Sequence, residues 1–178
     1  MPTLDDALDT LVRDVVDYPK PGIVFKDITP LLADPGGFAA TVDALASQGS
    51  VAAGGPIDAV VGIEARGFIF AAPVALALGV GFVPVRKPGK LPGPTYELSY
   101  TLEYGSETLQ VHRDALARGA RVLVVDDVLA TGGTVEAAAQ LLERAGATVA
   151  AVVVLMEIGA LGGRDRLAGR RVEALFTV

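Results

Sequence analysis

The chain has 178 residues, is 51% hydrophobic, contains no cysteine and carries a net charge of −6. That length suits one domain, residues 1–178, with a full core. The lack of cysteine excludes disulfides, thiolate metal sites and cysteine nucleophiles, and the acidic balance argues against general nucleic-acid binding. No apolar run approaches the ~20 residues that span a bilayer. The acidic start from Met1 to Asp6 lacks the basic and apolar regions of a signal peptide, so the expected location is cytoplasmic, with no membrane partner.

Residues 3–17 predict an amphipathic helix, with Leu4, Leu11, Val12 and Val15 near one face and Thr3, Asp5 and Asp6 at its start. Residues 18–27 hold Pro19, Pro21 and Gly22 and read as a rigid loop. A second helix is expected over 38–48, stopped by Gly49. Strands over 57–63, 81–85, 121–125 and 148–156 then alternate with helices over 67–78 and 134–145. The alternation predicts an α/β fold, a central and mainly parallel sheet flanked by helices. Ligands of such sheets gather at the carboxyl ends of the strands, where Glu64, Arg86, Lys87, Asp126, Asp127 and Glu157 fall. Residues 86–105 interrupt the alternation. Lys87 to Pro94 is too rich in proline and glycine for core, residues 96–104 alternate like an exposed hairpin, and the insertion reads as a lid. His112, the lone histidine, is assigned no catalysis.

The densest chemistry lies in Arg121-Val-Leu-Val-Val-Asp-Asp-Val-Leu-Ala-Thr-Gly-Gly-Thr134. A buried strand is expected to exit at Asp126 and Asp127, whose side chains point to opposite sides. A small-residue loop, Ala130 to Thr134, leads into a helix. A helix N-terminus offers free N–H groups and partial positive charge, Gly132 and Gly133 let the backbone approach an anion, and Thr131 and Thr134 add hydroxyl donors. The acids beside it can hold sugar hydroxyls or a metal-bound water. No Gly-Lys-Ser/Thr follows, which excludes the nucleoside-triphosphate P-loop. Glu64-Ala65-Arg66-Gly67, between a strand and a helix, makes a second anion site, with Arg66 as a bidentate guanidinium. Arg86, Lys87 and Lys90 supply basic charge in an otherwise acidic chain.

The Asp-Asp-loop resembles the phosphoribosyl-pyrophosphate motif of the type I phosphoribosyltransferases. Three further segments narrow the resemblance to the branch that uses adenine: Tyr18 to Leu32, Gly62 to Phe70 with Val83 to Pro92, and Leu102-Glu-Tyr-Gly105. Four segments in the right order are far more specific than any one, and together they cover nearly the whole chain.

The resemblance implies a type I phosphoribosyltransferase fold with a flexible lid, roughly 87–105, and a small hood from roughly 18–32 with 157–170. It implies transfer of the 5-phosphoribosyl group from phosphoribosyl pyrophosphate to adenine, giving AMP and pyrophosphate in purine salvage. The loop 130–134 takes the 5-phosphate, and Asp126 and Asp127 face the ribose. The Glu64–Ala65 segment, with a cis peptide common in the family, meets the pyrophosphate together with Arg66, Arg86, Lys87 and Lys90. Phe25 stacks on adenine, Val24 and Lys26 read its edge, and Ile158 lies beside it. The family commonly has arginine where this chain has Lys26, and lysine offers a point charge in place of a bidentate fork. Glu103 matches the proton-handling glutamate and Tyr104 helps close the lid. Mg2+ is the implied cofactor, held through substrate oxygens rather than by direct protein ligands, and the implied assembly is a homodimer. A transferase for a 6-oxopurine is disfavoured by the Phe25-Lys26-Asp27 and Leu-Glu-Tyr-Gly segments. A phosphoribosyl-pyrophosphate sensor is disfavoured by the lack of a spare DNA-binding segment, and a receiver domain by the Thr-Gly-Gly-Thr loop.

Overall fold

The structure, a computed structural model, describes residues 3–102 and 105–178. The chain divides into two compact units, Met1–Ala44 and Leu45–Val178.

In the first unit, α1 (Leu4–Leu11) starts on a capping box between Thr3 and Asp6. It stops at Leu11, and the expected helix over 3–17 is corrected there. Arg13–Val16 forms strand β1, antiparallel to β2 (Val24–Asp27). The β-branched Val15 and Val16 suit a strand better than a helix end. The expected loop over 18–27 is likewise corrected at its end, because β2 occupies its last four residues. The short helix α2 (Thr29–Ala33) has Pro30 near its start. The helix α3 (Pro35–Ala53) begins in the first unit, ends in the second, and runs longer than the predicted 38–48 at both ends.

The second unit is built on a five-stranded sheet, every neighbouring pair parallel. Its strands are β3 (Ala59–Ile63), β4 (Gly81–Val85), β7 (Arg121–Leu129), β8 (Thr148–Glu157) and β9 (Val172–Thr177), in the order β4-β3-β7-β8-β9. The β3 run is buried throughout, and so are residues 122–127 of β7 and 151–157 of β8, as continuous β-branched runs require between two layers. The helix α4 (Gly67–Leu78) follows β3 at the predicted bounds, and α5 (Gly133–Arg144) follows β7.

On one face, Val61, Ile63, Val122, Val124, Val152 and Val154 pack with Val135, Ala138, Leu141 and Leu142 of α5. A hairpin of β5 (Thr95–Leu102) and β6 (Gly105–His112) joins that cluster through Leu98, Leu109 and Val111. The expected exposed hairpin is therefore half core, because alternate residues of both strands face inward. On the opposite face Gly62 lies under α4: a Cβ there would stand 2.7 Å from that of Ala71. The end of α3 packs the same way through Gly49, where a Cβ would come 2.6 Å from a Leu123 methyl. No helix among the described residues is long and apolar enough to cross a membrane.

Candidate active site

The two acids do not sit at a strand exit. β7 continues past them to Leu129, paired with Glu157 of β8, so both carboxyls lie within the strand and are buried. The Asp127 N–H donates to Asp126 Oδ1 at 2.9 Å, and Asp127 Oδ2 meets Arg66 Nε at 2.8 Å. Burial, and then the charge of Asp127, pushes the Asp126 carboxyl well above its ordinary range. Gly67, the first residue of α4, is what lets this helix start so close: a Cβ there would lie 2.7 Å from Asp126 Oδ1. The small residue in Glu-Ala-Arg-Gly thus serves the acid pair as well as the turn.

Beyond β7, Asp126 and residues 128–135 line a cavity of about 150 Å3 at the N-terminus of α5. Gly132 adopts φ +79°, a left-handed conformation that favours glycine. Its missing side chain matters twice, because a Cβ would stand 2.6 Å from the Gly163 carbonyl oxygen. Gly163 opens the short helix α6 (Gly163–Arg166), and a Cβ on it would collide with the Ala130 carbonyl. Two glycines in different elements thus seat α6 directly on the loop. Thr134 is held from the hairpin: Tyr100 Oη lies 3.1 Å from Thr134 Oγ1 and donates to Glu107 Oε2 at 2.9 Å. Burial and the neighbouring Glu107 raise the Tyr100 pKa, so its hydroxyl stays protonated.

The second predicted anion site is organised by Glu64. The Glu64–Ala65 peptide is cis. Glu64 accepts from Lys90 Nζ at 2.5 Å, from the Lys87 N–H at 2.9 Å and from Arg86 Nε at 3.2 Å. Burial pushes its carboxyl up, but hydrogen bonds from Lys90 and the Lys87 N–H, with the charges of Lys90 and Arg86, outweigh that and hold it below its ordinary range. Lys87 Nζ pairs with Glu107 at 3.2 Å. The basic cluster is thus gathered by carboxylates around the loop after β3.

The structure brings Asp126, Asp127 and Arg66 into one network, sets residues 130–134 around one cavity, and joins Arg86, Lys87 and Lys90 around Glu64. Ile158 follows β8, its N–H bonded to the Leu129 carbonyl at 2.9 Å. Val24, Phe25 and Lys26 belong to β2 of the first unit. There Phe25 packs edge-on against Tyr18 at 5.2 Å, Val24 is exposed, and Lys26 pairs with Asp14 at 2.5 Å. Glu103 and Tyr104 lie outside the described residues. Glu157, expected at a strand end, is buried and held by Arg164 at 2.6 Å, whereas sequence reasoning missed Tyr100, Glu107 and the packing of Gly163 on the loop. A run of glycines at 162–163 beside arginines was the one available signal.

The central strand of the parallel sheet thus carries paired acids into a loop that surrounds a cavity of about 150 Å3. Residues 32–173 match the model of the phosphoribosyl transferase domain. The chain is 61% identical over 181 residues to the adenine phosphoribosyltransferase of Streptomyces coelicolor, covering 98% of this chain and 97% of that one. Its structure resembles that of the adenine phosphoribosyltransferase of Thermoanaerobacter pseudethanolicus, with TM-score 0.92, 46% identity and coverage of 99% and 100% of the two chains. It also resembles the Saccharomyces cerevisiae enzyme complexed with an imino-altritol bisphosphate and adenine, with TM-score 0.91, 39% identity and coverage of 97% and 98%. The chain belongs to the phosphoribosyltransferase family and, within it, to the adenine phosphoribosyltransferases.

Proposed function

We propose that the chain transfers the 5-phosphoribosyl group of phosphoribosyl pyrophosphate to adenine, releasing AMP and pyrophosphate, as a step of purine salvage. The observation that carries this reading is the cavity at the start of α5, with Asp126 and Asp127 buried beside it. Backbone N–H groups and threonine hydroxyls of residues 130–134 bind the 5-phosphate, and the two acids face the ribose. In the reaction the C1–oxygen bond to pyrophosphate breaks as the C1–N9 bond forms, through a transition state with oxocarbenium character. The Asp126–Asp127 pair offsets the positive charge developing on the sugar. Glu64, Ala65, Arg66, Arg86, Lys87 and Lys90 receive the departing pyrophosphate, with arginine and lysine turning from carboxylate partners to phosphate oxygens.

Phe25 stacks on the base, Val24 and Lys26 read its edge, and Ile158 lies beside it. Glu103 exchanges a proton with N7 as N9 becomes the nucleophile, and Tyr104 helps close the lid. The lid comprises roughly 87–105, and segments 18–32 and 157–170 form the hood. Magnesium, when bound, offsets negative charge on the pyrophosphate oxygens. Asp127 is engaged by Arg66 and Asp126 by a backbone N–H, so these acids suit its outer shell, with substrate oxygens and water as direct ligands. The proposal includes a cytoplasmic homodimer. Its test is direct: the purified chain should form AMP and pyrophosphate in equal amounts from adenine and phosphoribosyl pyrophosphate with magnesium, and lose this activity in excess chelator. Absence of AMP with magnesium present contradicts the reading.

A further inference from the structure

We infer that Arg166 is a direct ligand of the substrate's 5-phosphate, reaching it from α6 across the loop 130–134. The inference rests on the transferase reading and deepens it. A phosphate monoester carries about −1.5 to −2 charges near neutral pH. The cavity at the loop is lined by Asp126 and residues 128–135, among which there is no cation. Backbone dipoles and two threonine hydroxyls would meet that charge without a formal counter-charge.

The cations around the site are mostly committed. Arg66 pairs with Asp127, Arg86 and Lys90 with Glu64, Lys87 with Glu107, Arg164 with Glu157, and Arg170 with Glu136 and Glu143. Arg166 forms no ion pair or side-chain hydrogen bond among the described residues, and its charge acts on Glu136 only at longer range. Its guanidinium nevertheless lies on the loop: Nη1 stands 3.7 Å from where a Gly133 Cβ would be, and its own Cβ 3.3 Å from that of Gly132. The packing of Gly163 against Ala130 anchors the stem of this side chain to the loop backbone. A guanidinium beside the loop has the forked geometry to donate two N–H bonds to one phosphate.

The test separates the two ends of the donor substrate by titrating ribose 5-phosphate and pyrophosphate independently into the full chain by calorimetry. Arg166→Gln should weaken ribose 5-phosphate about tenfold and leave pyrophosphate within about twofold, as expected for one charge-assisted contact. Arg166→Lys should recover part of the loss, and the melting temperature of both variants should match that of the parent. Ribose 5-phosphate bound equally well by Arg166→Gln overturns the inference, and so does an equal loss for both ligands. A parent chain that binds ribose 5-phosphate but makes no AMP overturns the transferase reading alone, and one that binds no ribose 5-phosphate overturns the inference.

Discussion

Asp126 sets stability against function. Its raised pKa comes from burial and from the charge of Asp127, so the folded state binds its proton more tightly than the unfolded chain does. Stability is therefore lost as pH rises from the unfolded value, about 4, toward the folded one. Asp126→Asn keeps an oxygen to accept the Asp127 N–H and removes the charge. The variant should melt above the parent at about pH 8, by roughly 2–4 °C for each kcal/mol regained, and the advantage should vanish below about pH 4. Its affinity for phosphoribosyl pyrophosphate should fall. A variant less stable than the parent at about pH 8 contradicts this assignment. Two adjacent acids and a glycine–threonine loop are legible in sequence because each lies within a few residues of the next. Tyr100 and Arg166 are not, since tertiary packing alone brings them to loop residues about thirty positions away.

At the scale of elements, the loop 130–134 is shaped by a neighbour it meets only through the fold. A methyl group on Gly163 would collide with the Ala130 carbonyl, a backbone group that no rotamer change can move aside. Gly163→Ala should therefore shift the loop, costing about 1–3 kcal/mol of stability as overpacking does, and raise the KM for phosphoribosyl pyrophosphate more than that for adenine. Unchanged kinetics and melting would show that α6 does not shape the loop. The bounds of α4 and β4 were readable because Gly67 and Gly79 bracket one apolar stretch and Gly81 and Arg86 bracket the next. The start of the chain misled because Leu4, Leu11, Val12 and Val15 also fit a helical spacing, while β1 is decided by pairing with β2. β9 escaped notice because one six-residue stretch at the end of a chain carries little pattern by itself.

For the whole molecule, α4 leaves an apolar stripe uncovered. Leu76 is 82% exposed and Ile69 39%, seven residues apart and so on one helical face. An exposed apolar helix face suits a subunit contact, and the proposed homodimer would cover it. Leu76→Arg should shift the assembly toward monomer in sedimentation equilibrium. A variant that remains as dimeric as the parent would move the interface elsewhere, and a monomeric parent would remove the dimer.

The central claim concerns which base is used, and initial rates with adenine, hypoxanthine, guanine and xanthine, each with phosphoribosyl pyrophosphate and magnesium, test it most directly. The account predicts AMP formation with a kcat/KM at least about a hundredfold above that for any 6-oxopurine, because a site matched to a base edge leaves polar groups unpaired against the wrong one. Activity confined to a 6-oxopurine would preserve the phosphate loop and overturn the assignment of Val24, Phe25 and Lys26.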